Sequence, residues 1–208
     1  MFAPGAVRWI GPFALGTLVF GGLVVGGVLP AHLAEIAVVG ALGGVAGFLA
    51  VFFRDPERLP GSGIVSPADG HVRAIDQIEG RWRISVFMNV TDVHVNRAPL
   101  DCTVDRIEAA GAGFRAAFRS DADTNVRRHY LLSTALGPVE VVQITGLVAR
   151  RIVPYVGAGA ALHKGERFGM IVLGSRVDLF VPSDRVRPRV HVGERVRAGT
   201  TTVAEALP

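Results

Sequence analysis

Met170-Ile-Val-Leu-Gly-Ser-Arg-Val-Asp-Leu-Phe-Val181 holds two apolar runs rich in β-branched residues, with a Gly-Ser step between them. Residues 170–173 and 177–181 read as strands, and the step as a tight turn or bulge. Outward from this stretch the same texture repeats. Trp82-Arg-Ile-Ser-Val-Phe-Met88 follows Glu79-Gly80, and Val139-Glu-Val-Val-Gln-Ile-Thr145 follows Leu136-Gly-Pro138, so each β run is entered through turn residues. Gly165-Glu-Arg-Phe168 and Gly193-Glu-Arg-Val196 echo each other and suit strand-to-strand corners. No segment beyond residue 54 sustains a 3.6-residue apolar period for three turns. Residues 54–208 therefore read as one mainly β domain, a compact sandwich or barrel with room for one short helix.

Residues 1–53 belong to a different solvent. They hold one cation, Arg8, and one anion, Glu35, whereas residues 54–208 hold the other 21 cations and 17 anions. Half of the 208 residues are hydrophobic and 19% are charged. Mean hydropathy is +0.39, high against soluble domains, in which about a quarter of residues are charged. Residues 9–29 and 36–53 are uncharged runs separated by Pro30-Ala-His-Leu-Ala-Glu35, and a membrane helix needs about 20 apolar residues. A signal peptide would have an apolar core of roughly 7–15 residues and then a polar chain. Here a second apolar run follows, which predicts a helical hairpin that spans the membrane or lies in it. Gly22/Gly26, Gly40/Gly44 and Gly43/Gly47 have the small-xxx-small spacing of close helix packing. Arg8 precedes the first run, Arg54 and Arg58 follow the second, and the turn has no Lys or Arg, so both ends should face the cytoplasm.

Several function classes drop out. The apolar content excludes disorder, and the single Cys102 excludes a disulfide scaffold. The six histidines, 32, 71, 94, 129, 163 and 191, include no pair at i, i+4, so no metal site is expected. Walker and GxGxxG loops are absent. A pI near 10.2 suggests nucleic acid, but a net +4 spread over dispersed arginines, with no recognition motif, fits an anionic bilayer better. Cations are 21 Arg against one Lys, so a lysine Schiff base with substrate or PLP could come only from Lys164, which sits in the turn Leu162-His-Lys-Gly165.

Three segments remain: Ser66-Pro-Ala-Asp-Gly70, Thr91-Asp-Val-His-Val-Asn-Arg97 and Leu173-Gly-Ser-Arg-Val-Asp178. Singly, each reads as a turn or a structural histidine. Together with Phe52-Phe-Arg-Asp-Pro56, with Gln143-Ile-Thr-Gly146 and with Ala149-Arg-Arg-Ile152, in this order, they resemble phosphatidylserine decarboxylase in its short bacterial and archaeal form. The resemblance covers roughly residues 50–182, and an apolar N-terminal segment is also a feature of that form.

The resemblance implies a proenzyme that cuts itself between Gly174 and Ser175, giving a β chain of residues 1–174 and an α chain of residues 175–208. Attack of the serine hydroxyl on the preceding carbonyl makes an ester, β-elimination leaves dehydroalanine, and hydrolysis gives a pyruvoyl group and ammonia. Ser175 would become the cofactor and form the Schiff base with the substrate's own amine, which removes the need for PLP or an enzyme lysine. The implied substrate is phosphatidylserine in an anionic membrane, with phosphatidylethanolamine and CO2 as products. The implied constellation is Asp69, His94 and Ser175. Longer members carry a second histidine three residues on, where this chain has Arg97. An arginine does not serve as a base at neutral pH, so the division of steps around His94 stays open. Asn96, Arg97, Asn125 and Arg151 are candidates for binding substrate. Ser120-Asp-Ala-Asp-Thr-Asn-Val-Arg127 departs from the family pattern, which leaves the head-group preference less defined than the reaction. Two rivals stand: an uncut membrane-anchored β domain that binds lipid or a protein partner, and a pyruvoyl decarboxylase for another amino-acid head group. A homo-oligomer is compatible with each.

Overall fold

The computed structural model describes residues 1–30, 32–113, 124–146, 151–172 and 175–208. Two compact units make up the chain, Met1–Pro56 and Glu57–Pro208.

In the first unit, α1 (Val7–Val25) and α2 (Leu33–Phe52) pack against each other. Both are long and apolar enough to cross a membrane. No residue of α1 is buried and only Phe52 of α2 is, an arrangement that water penalises and lipid does not. The seam between them runs through small residues. A Cβ on Gly16 would stand 3.4 Å from Leu42, one on Gly21 3.7 Å from Val39, and one on Gly43 3.5 Å from Thr17. This corrects the spacing argument, because Gly22, Gly40, Gly44 and Gly47 would meet nothing within 4 Å and Gly26 meets its own helix. Spacing shows that a helix has a small-residue stripe; the packing of the two helices decides which stripe faces inward. The hairpin ends are tied by Ala3 N donating to the Phe53 carbonyl at 2.8 Å and Asp55 N to the Met1 carbonyl at 2.9 Å.

The second unit is built from antiparallel strands. β1 (Ile64–Val65) leads to the hairpin β2 (Gly70–Ile78) and β3 (Arg81–Met88), then to β4 (Val95–Arg97) and β5 (Cys102–Ala110). β6 (Arg127–Thr134) and β7 (Gly137–Thr145) form a second hairpin, followed by β8 (Arg151–Pro154), β9 (Ala161–Leu162) and β10 (Arg167–Val172). β11 (Ser175–Pro182), β12 (Val186–Pro188), β13 (Arg195–Val196) and β14 (Thr202–Ala206) complete it. Eight strands in the order β13-β2-β3-β11-β7-β6-β5-β9 curl into a half-barrel. Two three-stranded sheets, β4-β10-β8 and β1-β14-β12, accompany it. No α-helix occurs among the described residues of this unit.

The four strand stretches named from the sequence fall in β3, β7, β10 and β11. Alternation along β3, β11, β7 and β6 makes the inner face: Ile84, Val86 and Met88; Val177, Leu179 and Val181; Val139 and Val141; Tyr130 and Leu132, all buried in one cluster. β11 lies between β3 and β7 and is covered on both edges, so its first residue, Ser175, is placed inside the unit.

Candidate active site

Ser175 pairs with Met88 at the end of β3 and with Thr145 at the end of β7. It is fully buried, and its Oγ donates to the Met88 sulfur at 3.2 Å. A thioether is a weak acceptor, so the hydroxyl is lightly held. Gly174, its partner at the expected cut, lies outside the described residues, as do Arg150 and residues 120–123.

The Ser66-Pro-Ala-Asp-Gly70 segment reaches the same strand end. A Cβ on Gly70 would stand 2.0 Å from the Phe87 carbonyl oxygen and 3.3 Å from Met88 Cα, at a φ of +143°, so only glycine lets this turn press on β3. Ser66 Oγ closes the turn by donating to the Ala68 carbonyl at 2.6 Å. The Asp69 carboxylate is gripped by Arg58 through both terminal nitrogens, at 2.5 and 2.9 Å, and accepts Ala198 N at 2.8 Å. Asp69 therefore orders Arg58 and the turn at Ala198.

His94 is oriented from another source. Asn89 N donates to the Asp92 carboxylate at 2.8 Å in the turn that leaves β3, and His94 Nδ1 lies 2.9 Å from the Asp92 carbonyl. A carbonyl only accepts, so Nδ1 carries a proton and donates it. The His94 carbonyl in turn accepts Ile171 N at 3.3 Å, on the strand that leads toward Ser175.

Asn96 is fully buried on β4. Its Oδ1 accepts Gln143 Nε2 at 2.6 Å, and its Nδ2 lies 3.9 Å from the same Met88 sulfur that holds Ser175. Asn125 donates to the Thr145 carbonyl at 2.7 Å and so braces the β7 end beside Ser175. Arg97 is buried, with one guanidinium nitrogen 3.0 Å from the Gly165 carbonyl. Arg151 is exposed on β8, paired with Val172. Thus Ser175, the Asp69–Gly70 turn and Asn96 converge on Met88, His94 follows from the same strand end, and Arg151 stands on the surface.

Sequence reasoning missed Met88, Arg58, Asp92 and Gln143. Two of them left a signal: Asp92 lies in the segment of residues 91–97, and Gln143 is a polar residue on the strand face that otherwise carries Val139 and Val141.

The opposite face of the half-barrel holds a cleft of about 270 Å³ lined by Arg81, Arg127, His129, Glu140, Asp178 and others. Its charges answer one another: Glu140 takes Arg81 at 2.8 Å and His129 at 2.6 Å, while Asp178 takes Ser85 and, at 3.0 Å, Arg176. Burial pushes the Asp178 carboxyl up, against the pull of Arg176 and the Ser85 hydroxyl. Among the described residues no group of His, Cys, Asp and Glu could hold a metal ion.

Residues 45–204 match the family described as phosphatidylserine decarboxylase. A phosphatidylserine decarboxylase proenzyme of Thermobifida fusca is 48% identical over 159 residues, 76% of this chain and 73% of that protein. A proenzyme of the same name from Nitratidesulfovibrio vulgaris is 47% identical over 172 residues, 77% and 79% of the two chains. A putative archaetidylserine decarboxylase proenzyme of Methanosarcina barkeri is 38% identical over 207 residues, 98% of both. With its motifs gathered at one buried strand end and most of its length matched, the chain belongs to the phosphatidylserine decarboxylase family.

Proposed function

We propose that this chain is a self-processing decarboxylase that converts phosphatidylserine to phosphatidylethanolamine and CO2, after cutting itself between Gly174 and Ser175. The observation that carries the reading is the fully buried Ser175, its hydroxyl held, among the described residues, by a thioether. His94 is fixed through its Nδ1 on the turn that leaves the same strand end.

In the cut, His94 Nε2 takes the Ser175 proton and the oxygen attacks the Gly174 carbonyl carbon. The C–N bond breaks as the ester forms. Loss of the residue 175 Cα proton then expels the Gly174 carboxylate, and water converts the remaining dehydroalanine to a carbonyl with release of ammonia. A pyruvoyl carbonyl at residue 175 supplies an electron sink for the pair left when CO2 departs from a substrate amine carbon.

The residues present fit that group. Asn96 Nδ2 is a donor beside the Met88 sulfur that holds Ser175, and the chain's one lysine, Lys164, reaches to the Gly63 carbonyl. Burial excludes water from the reacting centre, and His94 is the group suited to return a proton to the decarboxylated carbon. A substrate that is itself a lipid explains the hairpin, with both ends and the β unit on the cytoplasmic side of an anionic membrane. The archaetidylserine name of one relative points to recognition of the shared serine phosphodiester head group rather than of the hydrocarbon.

Intact mass tests the reading. Purified wild type should resolve into chains of residues 1–174 and 175–208, the smaller blocked to N-terminal sequencing, and Ser175→Ala should stay whole and inactive. A wild-type chain that stays whole on prolonged incubation refutes self-processing. His94→Ala should also stay whole; if it is cut but does not decarboxylate, His94 serves only the second step. Comparing phosphatidylserine with free serine as substrate decides the head-group question.

A further inference from the structure

We propose that Gln143 is a positioning residue for the chemistry at Ser175: it locks the Asn96 side-chain amide so that the NH2 end faces residue 175. The inference rests on the self-processing reading above and extends it to a residue given no role so far.

The argument is one of unequal hydrogen bonds. Gln143 is fully buried on the inner face of β7, two residues from Thr145, the strand partner of Ser175. Its Nε2 can only donate, and it lies 2.6 Å from Asn96 Oδ1. That short bond fixes which end of the Asn96 amide is oxygen. The NH2 end then points to the Met88 sulfur at 3.9 Å, where Ser175 Oγ also arrives, at 3.2 Å. One end of Asn96 is therefore clamped, and the other offers N–H groups to a poor acceptor, which an oxygen carrying developing negative charge beside residue 175 can outcompete.

The surroundings hold Gln143 in place. The position of a Cβ on Gly169 lies 3.2 Å from Gln143 Nε2, 3.2 Å from the Tyr130 hydroxyl and 3.1 Å from the Val153 carbonyl, so the bare glycine leaves the space these polar groups occupy. Tyr130 OH and Gln143 Oε1 are buried with no hydrogen-bond partner among the described residues. A polar side chain kept in an apolar strand face at that cost needs a use, and orienting Asn96 supplies one.

The test is a double-mutant cycle on the full-length chain, reading the rate of cleavage by intact mass. Asn96→Ala should slow cleavage about a hundredfold, as loss of a transition-state donor does. Gln143→Glu, whose ionised carboxylate can only accept, should turn the Asn96 oxygen toward residue 175 and slow cleavage at least about tenfold at alkaline pH. Gln143→Met, which conserves volume, should slow it less, and serves as the readout if Gln143→Glu does not fold. In the Asn96→Ala background either Gln143 variant should add less than about twofold. Equal rates for wild type and both variants, or the same fold-loss with and without Asn96, overturn the inference. A whole wild-type chain refutes the self-processing reading itself, and this inference with it, so the two failures are distinguishable.

Discussion

Arg58 and Asp69 form a charge pair close to the candidate site. The Asp69 carboxylate binds Arg58 at 2.5 and 2.9 Å, in a pair that is nearly buried. Removing one partner of such a pair leaves an uncompensated charge. Arg58→Met should therefore lower stability by about 3 kcal/mol in denaturant unfolding, while Arg58→Met combined with Asp69→Leu should recover much of the loss. Tyr130 gives a second prediction. Burial pushes its phenol up to about 12, with Arg128 pulling the other way. A group whose folded pKa is raised contributes stability that is complete below its ordinary value near 10 and lost as pH climbs toward 12. Wild type should lose on the order of 2–3 kcal/mol across that window from this group, a loss that Tyr130→Phe abolishes in parallel unfolding curves. At neutral pH Tyr130→Phe should keep or raise stability, because the hydroxyl has no hydrogen-bond partner among the described residues.

Strand ends and helix seams carry the next level. The β2–β3 hairpin can bring the Asp69 turn onto Met88 only with glycine at 70, since a Cβ there would overlap the Phe87 carbonyl. Gly70→Ala should separate these backbones and cost more than about 3 kcal/mol by thermal unfolding, and the uncut chain should accumulate. In the helical hairpin, Thr17 faces Gly43 at 3.5 Å whereas Gly44 meets nothing within 4 Å. Thr17→Cys with Gly43→Cys should cross-link under mild oxidation in membranes, and Thr17→Cys with Gly44→Cys should not. Cross-linking of both pairs alike would show that the seam is wrongly placed. The elements themselves were legible in the residues: apolar length marked both helices, and β-branched runs with turn signals marked the strands. The seam was not, because several glycine stripes share one spacing and only the packing of two helices selects among them.

For the molecule as a whole, composition separated an apolar head from a charged body, and the chain divides at Met1–Pro56 and Glu57–Pro208. Flotation on vesicles should follow the head: the full chain should float with phosphatidylserine vesicles and with neutral ones, and residues 57–208 alone should float weakly with anionic vesicles and lose even that in high salt. Strong, salt-resistant flotation of residues 57–208 would give the body an apolar membrane surface of its own. The sequence by itself determined the β class of the body and the apolar hairpin, because periodicity, charge distribution and residue type are local properties of the chain, while the site residues were named only by resemblance to a family. Only the tertiary structure decided that Asp69 faces Arg58, that the Asp92 carbonyl receives His94 Nδ1, and that Gln143 clamps Asn96. Those pairings join residues distant in sequence through the register of neighbouring strands and the packing of turns on their ends, and no stretch of sequence states which polar groups such packing will bring within hydrogen-bond reach.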